Sequence, residues 1–187
     1  MQPTTQRLFG LLSDVGDAKP TLLELGCGSG ALLVGLLESG ATRADGVDLS
    51  IGSLDAAKRR AEAAGVADRA TFTQGDGALV ELDPHDWVVM DRVICCYPDA
   101  PALLANALPA ASRRFAFSVP TSRGMRGLAN RVIWGLEGLW DRLRSNAPGY
   151  VHSLNVIEGR LRAAGFKPLR SSTGLMWHAA VWERRAA

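Results

Sequence analysis

The fold of this chain is decided by the stretch Thr21-Leu22-Leu23-Glu24-Leu25-Gly26-Cys27-Gly28-Ser29-Gly30-Ala31. Its apolar first part is typical of a central parallel strand, which is buried on both faces. Three glycines follow at alternate positions, and they allow the backbone to turn sharply and to approach a ligand closely. The apolar run over residues 31–37 then predicts a helix packed on the sheet, whose free N–H groups would face the ligand.

The glycine turn fits two kinds of ligand site. Gly26-x-Gly28-x-x-Ala31 matches the dinucleotide fingerprint, whereas Gly26-x-Gly28-x-Gly30 matches the loop that binds S-adenosylmethionine. Glu24 favours the second ligand, because a carboxylate at this point suits an ammonium and a sulfonium better than a pyrophosphate. A glycine turn that binds no ligand is the third interpretation.

At these residues the chain resembles the class I S-adenosylmethionine-dependent methyltransferases, whose first motif reads much like residues 22–30. The resemblance extends over nearly the whole chain from Thr21, and it includes residues 64–76 with Gly75-Asp76. It implies an α/β fold with a doubly wound, mostly parallel, seven-stranded Rossmann-like sheet that ends in a C-terminal antiparallel hairpin. A nicotinamide-binding domain would instead carry six parallel strands.

Hydrophobic periodicity along the chain agrees with five α/β units and a hairpin in a single domain, residues 1–187. Leu8, Leu11, Leu12 and Val15 fall at helical spacing before the first strand. We predict further helices over 51–64, 99–107 and 153–164. We predict strands over 21–25, 43–48, 70–74, 86–91 with a continuation through 99, 113–120, 166–172 and 175–184.

Residues 121–150 interrupt this order after the fifth strand. They combine apolar positions such as Trp134 and Trp140 with an excess of arginines. An insertion at this point lies above the carboxyl ends of the strands, where a lid over the substrate crevice belongs. The alternative is a helix that packs on the core and keeps a basic edge in solvent.

Several residues are candidates for binding the cofactor, S-adenosylmethionine. Asp48 lies 20 residues after Gly28, where a doubly wound sheet places an acid for ribose hydroxyls. The resemblance implies that Asp76 with Gly77 contacts adenine and that Glu24 orients the amino group. The full candidate set is Glu24, Gly26, Cys27, Gly28, Gly30, Asp48, Leu49, Asp76, Gly77 and Asp91.

We expect methyl transfer to an oxygen of a small molecule, with a carboxylate as one such acceptor and nitrogen as the second choice. His152 is the candidate general base, because its ordinary pKa lies near neutrality, and a helix-capping or packing role is its alternative. Tyr97 would position the acceptor. Residues 91–99 and 150–153 are similar to the group around magnesium-protoporphyrin O-methyltransferase, which methylates a propionate carboxylate.

Two features depart from that group. Cys96, which we expect to be buried packing, stands where its members usually carry a histidine. In addition, 20 residues precede Thr21 where they carry a longer segment that helps to enclose the substrate. A second copy of the chain or a partner protein would then complete the substrate cover.

Composition excludes several other classes. A net charge of +2 is too small to indicate nucleic-acid binding, and we expect none. Three cysteines without a signal pattern predict reduced thiols in the cytoplasm, and we expect neither a metal site nor a transmembrane segment. The rival functions are a non-catalytic, methyltransferase-like binding module and an NAD(P)-dependent oxidoreductase.

Overall fold

The chain folds around a seven-stranded sheet in this computed structural model, which describes residues 1–13, 19–124, 127, 130 and 149–185. The strand order is β3-β2-β1-β4-β5-β7-β6, and β7 runs opposite to the other six strands, antiparallel to β5 and β6. The predicted fold class is therefore confirmed. The strands are β1 Thr21–Leu25, β2 Arg43–Asp48, β3 Ala70–Gln74, β4 His85–Asp91, β5 Ala111–Pro120, β6 Phe166–Thr173 and β7 Trp177–Arg184.

Helices cover both faces of the sheet, as the buried positions of the central strands require. On one face lie α1 Pro3–Ser13, α2 Ala31–Glu38 and α3 Ile51–Ala63, and on the other lie α4 Ala100–Ala110 and α5 Leu154–Ala163. Successive residues of β1 point to opposite faces, so that Leu22 packs beneath α1 and α2 while Leu23 packs towards α4. Two apolar clusters result, one on each side of the sheet.

Side chains cap the start of two helices. Ser50 accepts a hydrogen bond from the backbone N–H of Ser53 at the start of α3, and Asp99 accepts one from Ala102 at the start of α4. The first crossover helix begins after Gly30, whose φ of 70° places it in the left-handed region. Gly165, also left-handed, follows α5 and leads directly into β6.

The prediction that the fourth strand continues from Asp91 to Asp99 is wrong. β4 ends at Asp91, which pairs with Ser118 of β5. At Arg92 the backbone enters the left-handed region with a φ of 59°, and its N–H bonds the Ser118 hydroxyl instead of continuing the ladder. A short 3₁₀ turn, Ile94–Cys96, follows. The apolar run is thus divided between a strand and a buried turn.

Two predictions concern residues that the structure describes only in part. Leu8 and Leu12 are buried beneath the sheet as expected, whereas Val15 lies outside the described residues. The helix and lid predicted within residues 121–150 fall mostly on residues outside them as well, and the lid stays a prediction. In the described part of the chain, no helix has the length and apolar character that a membrane crossing needs.

Candidate functional site

A cavity of about 480 Å³ opens at the carboxyl ends of the parallel strands. The chain crosses from β3 at one edge of the sheet to β4 beside β1, so the cavity lies at the topological switch point, where open α/β sheets bind ligands. Trp177 also reaches this edge, because it pairs with Pro120 at the end of β5. The lining residues are Leu25, Gly26, Val47, Asp48, Leu49, Gly75, Asp76, Gly77, Asp91, Arg92, Val93, Cys95, Cys96, Tyr97, Leu103 and Trp177.

The glycine turn closes one side of this cavity. Gly26 has a φ of 66°, and a Cβ atom there would lie 2.3 Å from Cγ2 of Val93. Gly28 is also left-handed, but a Cβ atom there would meet nothing within 4 Å. Gly26 is therefore required by packing and backbone conformation, whereas Gly28 leaves open space in front of the loop. That open space is what a close-lying ligand needs.

Asp48 ties the glycine turn to the end of β2. Its Oδ2 accepts a hydrogen bond from the Gly28 N–H at 2.8 Å, and its Oδ1 accepts one from the Ser50 N–H at 2.9 Å. Each carboxylate oxygen can accept more than one bond, so both remain able to accept from ligand hydroxyls. Leu49, the next residue, is 65% exposed at the rim of the cavity.

Asp76 and Tyr97 meet across the cavity. Oδ1 of Asp76 accepts from the Ala78 N–H, and the Tyr97 hydroxyl donates to Oδ2 at 3.1 Å. Asn106 holds the same loop by donating to the carbonyl oxygens of Gly77 and Val80. Desolvation and the neighbouring Asp76 carboxylate raise the pKa of Tyr97, so its hydroxyl stays a hydrogen-bond donor.

Asp91 is held by two hydroxyl groups. The Ser118 hydroxyl donates to Oδ1 and the Thr5 hydroxyl of α1 donates to Oδ2, each at 2.5 Å. These contacts fix Asp91 at the end of β4, where it lines the cavity. The N-terminal helix thereby contacts the candidate site, a contact that the sequence did not indicate.

Glu24 is enclosed by the protein and does not line the cavity. Its Oε2 accepts a hydrogen bond from the Leu33 N–H at 3.0 Å, which links β1 to the first turn of α2. Burial, followed by the negative charge of Asp91, raises the pKa of Glu24 well above its ordinary value. Glu24 therefore keeps its proton to a higher pH than an exposed carboxyl group does. The contact of Glu24 with the cofactor's amino group stays a prediction.

Cys95 and Cys96 form a vicinal pair of thiols in the turn after β4. Their sulfur atoms lie 3.9 Å apart, and each lies 3.3 Å from the Arg92 carbonyl oxygen. The hydrogen bond from Cys95 lowers the pKa of Cys96 to about 7, and the positive charge of Arg92 acts in the same direction. The prediction that Cys96 is buried is wrong, because the turn leaves this residue exposed.

His152 lies next to Tyr97 in space. Its Nε2 is 2.9 Å from the Tyr97 carbonyl oxygen, and its ring stacks on Tyr150 with a centroid distance of 5.8 Å. Because a carbonyl only accepts, Nε2 must carry the hydrogen, and the lone pair of neutral His152 is then on Nδ1. His152 is not among the residues that line the cavity.

Most of the predicted site residues meet at one edge of the sheet. Gly26, Asp48, Leu49 and the Asp76-Gly77 pair line the cavity, together with Asp91 and Tyr97. The predicted residues that do not line it are Glu24, Cys27, Gly28, Gly30 and His152. Sequence reasoning missed Arg92 and Trp177. Arg92 was missed because it was assigned to the predicted continuation of the fourth strand. Trp177 was missed because no local sequence pattern indicates that it lies beside β5.

No group of three or more His, Cys, Asp or Glu residues that could hold a metal ion occurs in the part of the chain that the structure describes. The chemistry of the donor set is instead that of an organic ligand. Carboxylates lie at the ends of β2 and β4 and just after β3, and backbone N–H and C=O groups are exposed at the glycine turn. Apolar side chains line the rest of the cavity.

Comparisons with known proteins agree with this geometry. Residues 22–113 match the family model described as a methyltransferase domain. Ribosomal protein L11 methyltransferase from Shewanella sediminis is 39% identical over 67 residues, which are 36% of this chain and 23% of that protein. The enzyme of the same name from Alteromonas mediterranea is 40% identical over 93 residues, or 49% of this chain and 30% of that protein. The chain thus matches less than a third of the length of either relative.

Solved structures share the fold over almost the full chain. Magnesium protoporphyrin IX methyltransferase from Synechocystis PCC 6803, with bound S-adenosylhomocysteine, superposes with a TM-score of 0.77 at 23% identity, covering 97% of this chain and 82% of that one. An O-methyltransferase family protein from Burkholderia thailandensis has a TM-score of 0.78 at 19% identity, covering 96% and 56% of the two chains.

The match over residues 22–113 and the shared fold support the predicted family, enzyme class and cofactor. Residues 22–113 of this chain are thus similar to the methyltransferase domain family, and the chain has the fold of the class I S-adenosylmethionine-dependent methyltransferases.

Proposed function

We propose that this protein is an S-adenosylmethionine-dependent methyltransferase that methylates an oxygen atom, with nitrogen as second choice, of a small acceptor molecule. The observation that carries the proposal is the ring of acidic and glycine residues around the cavity. Asp48, Asp76 and Asp91 line it beside the open face of the glycine turn. A cavity of about 480 Å³ is also within the range of small-molecule sites, about 300–1,000 Å³.

The residues of β1, β2 and β3 would hold the cofactor. Asp48 would accept from ribose hydroxyls, Asp76 with Gly77 would contact the adenine, and Gly26 would allow close approach of the backbone. Asp48 and Asp91 also contribute negative potential, and both raise the pKa of Glu24. A ligand that carries ammonium and sulfonium charges fits that potential. Bound S-adenosylmethionine would supply a methyl group already activated for transfer by its sulfonium.

The acceptor would enter at the other end of the cavity, between the turn after β4 and Trp177. Since the methyl group is already activated, orientation of the acceptor can supply much of the rate. A carboxylate acceptor loses its charge on methylation and needs no base, whereas a hydroxyl acceptor must release a proton. His152 could take that proton through Nδ1, and Tyr97 would orient the acceptor from the cavity wall.

Calorimetric titration with S-adenosylmethionine, S-adenosylhomocysteine and NAD tests this proposal. We expect the two adenosyl ligands to bind with micromolar affinity and NAD not to bind. NAD binding alone would favour the oxidoreductase alternative. Tight binding of S-adenosylmethionine without methylation of any member of a broad acceptor panel would favour the non-catalytic binding module.

Asp48→Ala is the variant that tests the cofactor site. It removes two charge-assisted hydrogen bonds that hold the glycine turn and the start of α3, each worth about 1.5–3 kcal/mol. We expect the Kd for S-adenosylhomocysteine to rise by about 10- to 100-fold, measured by calorimetry, with the circular dichroism spectrum retained. Asp55→Ala is the matched control, because Asp55 is an exposed carboxylate of α3 outside the cavity. Equal affinities of the two variants would contradict the assignment.

A protein acceptor is the second candidate. Relatives named ribosomal protein L11 methyltransferase share 39–40% identity with part of the chain. Adding L11 and a panel of small carboxylic acids and phenols to the same radiolabelled methyl-transfer assay separates the two. Label in L11 alone would replace the small-molecule proposal. We also propose a cytoplasmic location, because none of the three cysteines is in a disulfide. A second copy of the chain or a partner protein would cover the cavity.

A further inference from the structure

Arg92 combines two unusual features at the end of β4. Its φ of 59° is in the left-handed region, which long side chains rarely adopt. Its Nε atom is buried and has no hydrogen-bond partner among the described residues. Buried polar atoms without partners are rare, and strained backbone clusters at ligand sites. Together these features indicate that the guanidinium is placed for a group that the protein itself does not provide.

The contacts of Arg92 leave Nε available. One terminal nitrogen, Nη1, donates to Oε1 of Gln2, which holds the end of the side chain against the N-terminal region. Oδ2 of Asp91 lies 4.0 Å from Nε, beyond hydrogen-bonding distance, and already accepts from Thr5. The backbone N–H of Arg92 bonds Ser118, which fixes the residue at the strand end.

Arg92 has the one positive charge among the described residues that line the cavity. Its acidic neighbour in the lining is Asp91, whose Oδ2 lies 4.0 Å from Nε. The other neighbours are apolar or weakly polar, namely Val93, Cys95, Cys96, Tyr97 and Trp177. The acidic residues Asp48 and Asp76 lie on the other side of the cavity, at the ends of β2 and β3. A ligand at the β4 side would therefore meet a guanidinium beside an apolar surface, and the one carboxylate next to that guanidinium, Asp91, already accepts hydrogen bonds from Thr5 and Ser118.

We propose that Arg92 binds the carboxylate of an acidic methyl acceptor that has an apolar body. This inference rests on the proposed function and extends it to a class of acceptor. Nε–H is the donor that Arg92 would offer, and a guanidinium binds a carboxylate with directional, charge-assisted hydrogen bonds. Arg92 would thus be a specificity-determining residue. The alternative carboxylate that Arg92 could bind in this cavity is that of the methionine part of the cofactor.

Binding of 3-phenylpropionate and its neutral amide to the protein saturated with S-adenosylhomocysteine tests the inference. The two probes have the same shape and differ in charge. We expect the acid to bind at least tenfold more tightly than the amide to the wild type. Arg92→Gln should reduce that preference to less than threefold, and Arg92→Lys, which keeps the charge without Nε–H, should retain part of it. Arg43→Gln is the control, since Arg43 is an exposed arginine at the opposite end of β2.

The same titrations separate the two carboxylate sources. If Arg92 binds the acceptor, Arg92→Gln should change the Kd for S-adenosylhomocysteine less than threefold. A tenfold loss for S-adenosylhomocysteine, without a loss for 5′-methylthioadenosine, would assign Arg92 to the cofactor and overturn the inference. Equal affinity for acid and amide, or no binding of the acid to the wild type, would also overturn it. Absence of S-adenosylhomocysteine binding to the wild type would reject the proposed function as well.

Discussion

Glu24 lies on the central strand with its carboxyl group enclosed and with one backbone N–H, that of Leu33, as hydrogen-bond donor. The charges of Asp91 and Asp48 add to the cost of ionising it. A single hydrogen bond does not offset burial and two like charges, so its pKa is raised. The residue therefore makes the stability of the folded protein depend on pH.

Glu24→Gln tests this dependence. Because the folded-state pKa is raised, the native protein keeps a proton that the unfolded chain loses above about pH 4.5, and the free energy of unfolding falls as the pH rises above that value. A tenfold difference in proton affinity between the folded and unfolded states corresponds to about 1.4 kcal/mol. We expect the Tm of Glu24→Gln, relative to the wild type without ligand, to increase from pH 5 to pH 8. Glu38→Gln, at the exposed end of α2, is the control. A constant difference across this range would contradict the raised pKa of Glu24, because it would mean that the folded and unfolded states bind the same number of protons.

At the scale of secondary-structure elements, α1 links the outer layer to the candidate site. Leu8 and Leu12 anchor the helix in the apolar cluster that also contains residues of α2. Thr5, which is 5% exposed, then reaches Asp91, and Gln2 reaches Arg92. Two residues of the cavity wall are thus held by the N-terminal region, Asp91 by Thr5 of α1 and Arg92 by Gln2 just before this helix.

Thr5→Val should destabilise the protein and leave its helix content unchanged. Valine has almost the same shape as threonine but cannot donate to Asp91, so a buried carboxylate oxygen loses its partner. A hydrogen bond to a charged group is worth about 1.5–3 kcal/mol, and we expect a loss of that size in the free energy of unfolding, measured by urea denaturation. Thr4→Val introduces the same side chain on the same helix. If Thr5→Val and Thr4→Val lowered the free energy of unfolding equally, the contact with Asp91 would not be the cause.

At the scale of the whole molecule, the cavity exists because strands from distant parts of the chain end at one edge. Arg184 of β7 stabilises the opposite edge by donating to the carbonyl oxygens of Leu108, Ala111 and Ala164. Its guanidinium also lies 4.5 Å from the ring centroid of Phe166. One side chain therefore connects α4, β5, α5 and β6.

Arg184→Met should lower the global stability without affecting ligand affinity. Methionine keeps an apolar stem over Phe166 but leaves the carbonyl oxygens of three segment ends without this donor. We expect a loss of about 3 kcal/mol in urea denaturation, from several charge-assisted bonds that are partly replaced by water. Arg185→Met, at the exposed neighbouring position, should change stability by less than about 0.5 kcal/mol. A tenfold change in the Kd for S-adenosylhomocysteine would contradict the separation of this edge from the site.

Local sequence was sufficient for the first strand, the glycine turn and the order of strands and helices. Hydrophobic periodicity, glycine conformation and capping are properties of neighbouring residues. Asp48 and Asp76 both line the cavity, because β2 and β3 end at the same edge of the sheet. The predicted continuation of β4 was wrong because local sequence leaves two structures open. An apolar run is compatible with either a strand or a buried turn, and the contact that ends the strand comes from Ser118, 26 residues away.

The sequence by itself therefore determined the doubly wound sheet and the acidic, glycine-lined side of the cavity, because these follow from local patterns along the chain. The same patterns carry the resemblance to the methyltransferases. The tertiary structure alone decided the left-handed conformation of Arg92, the contact of Tyr97 with Asp76 and the contact of Thr5 with Asp91. These depend on partners up to 86 positions apart, and no local pattern carries such information. The side of the cavity formed after β1, β2 and β3 is thus encoded locally, whereas the side formed after β4 depends on packing.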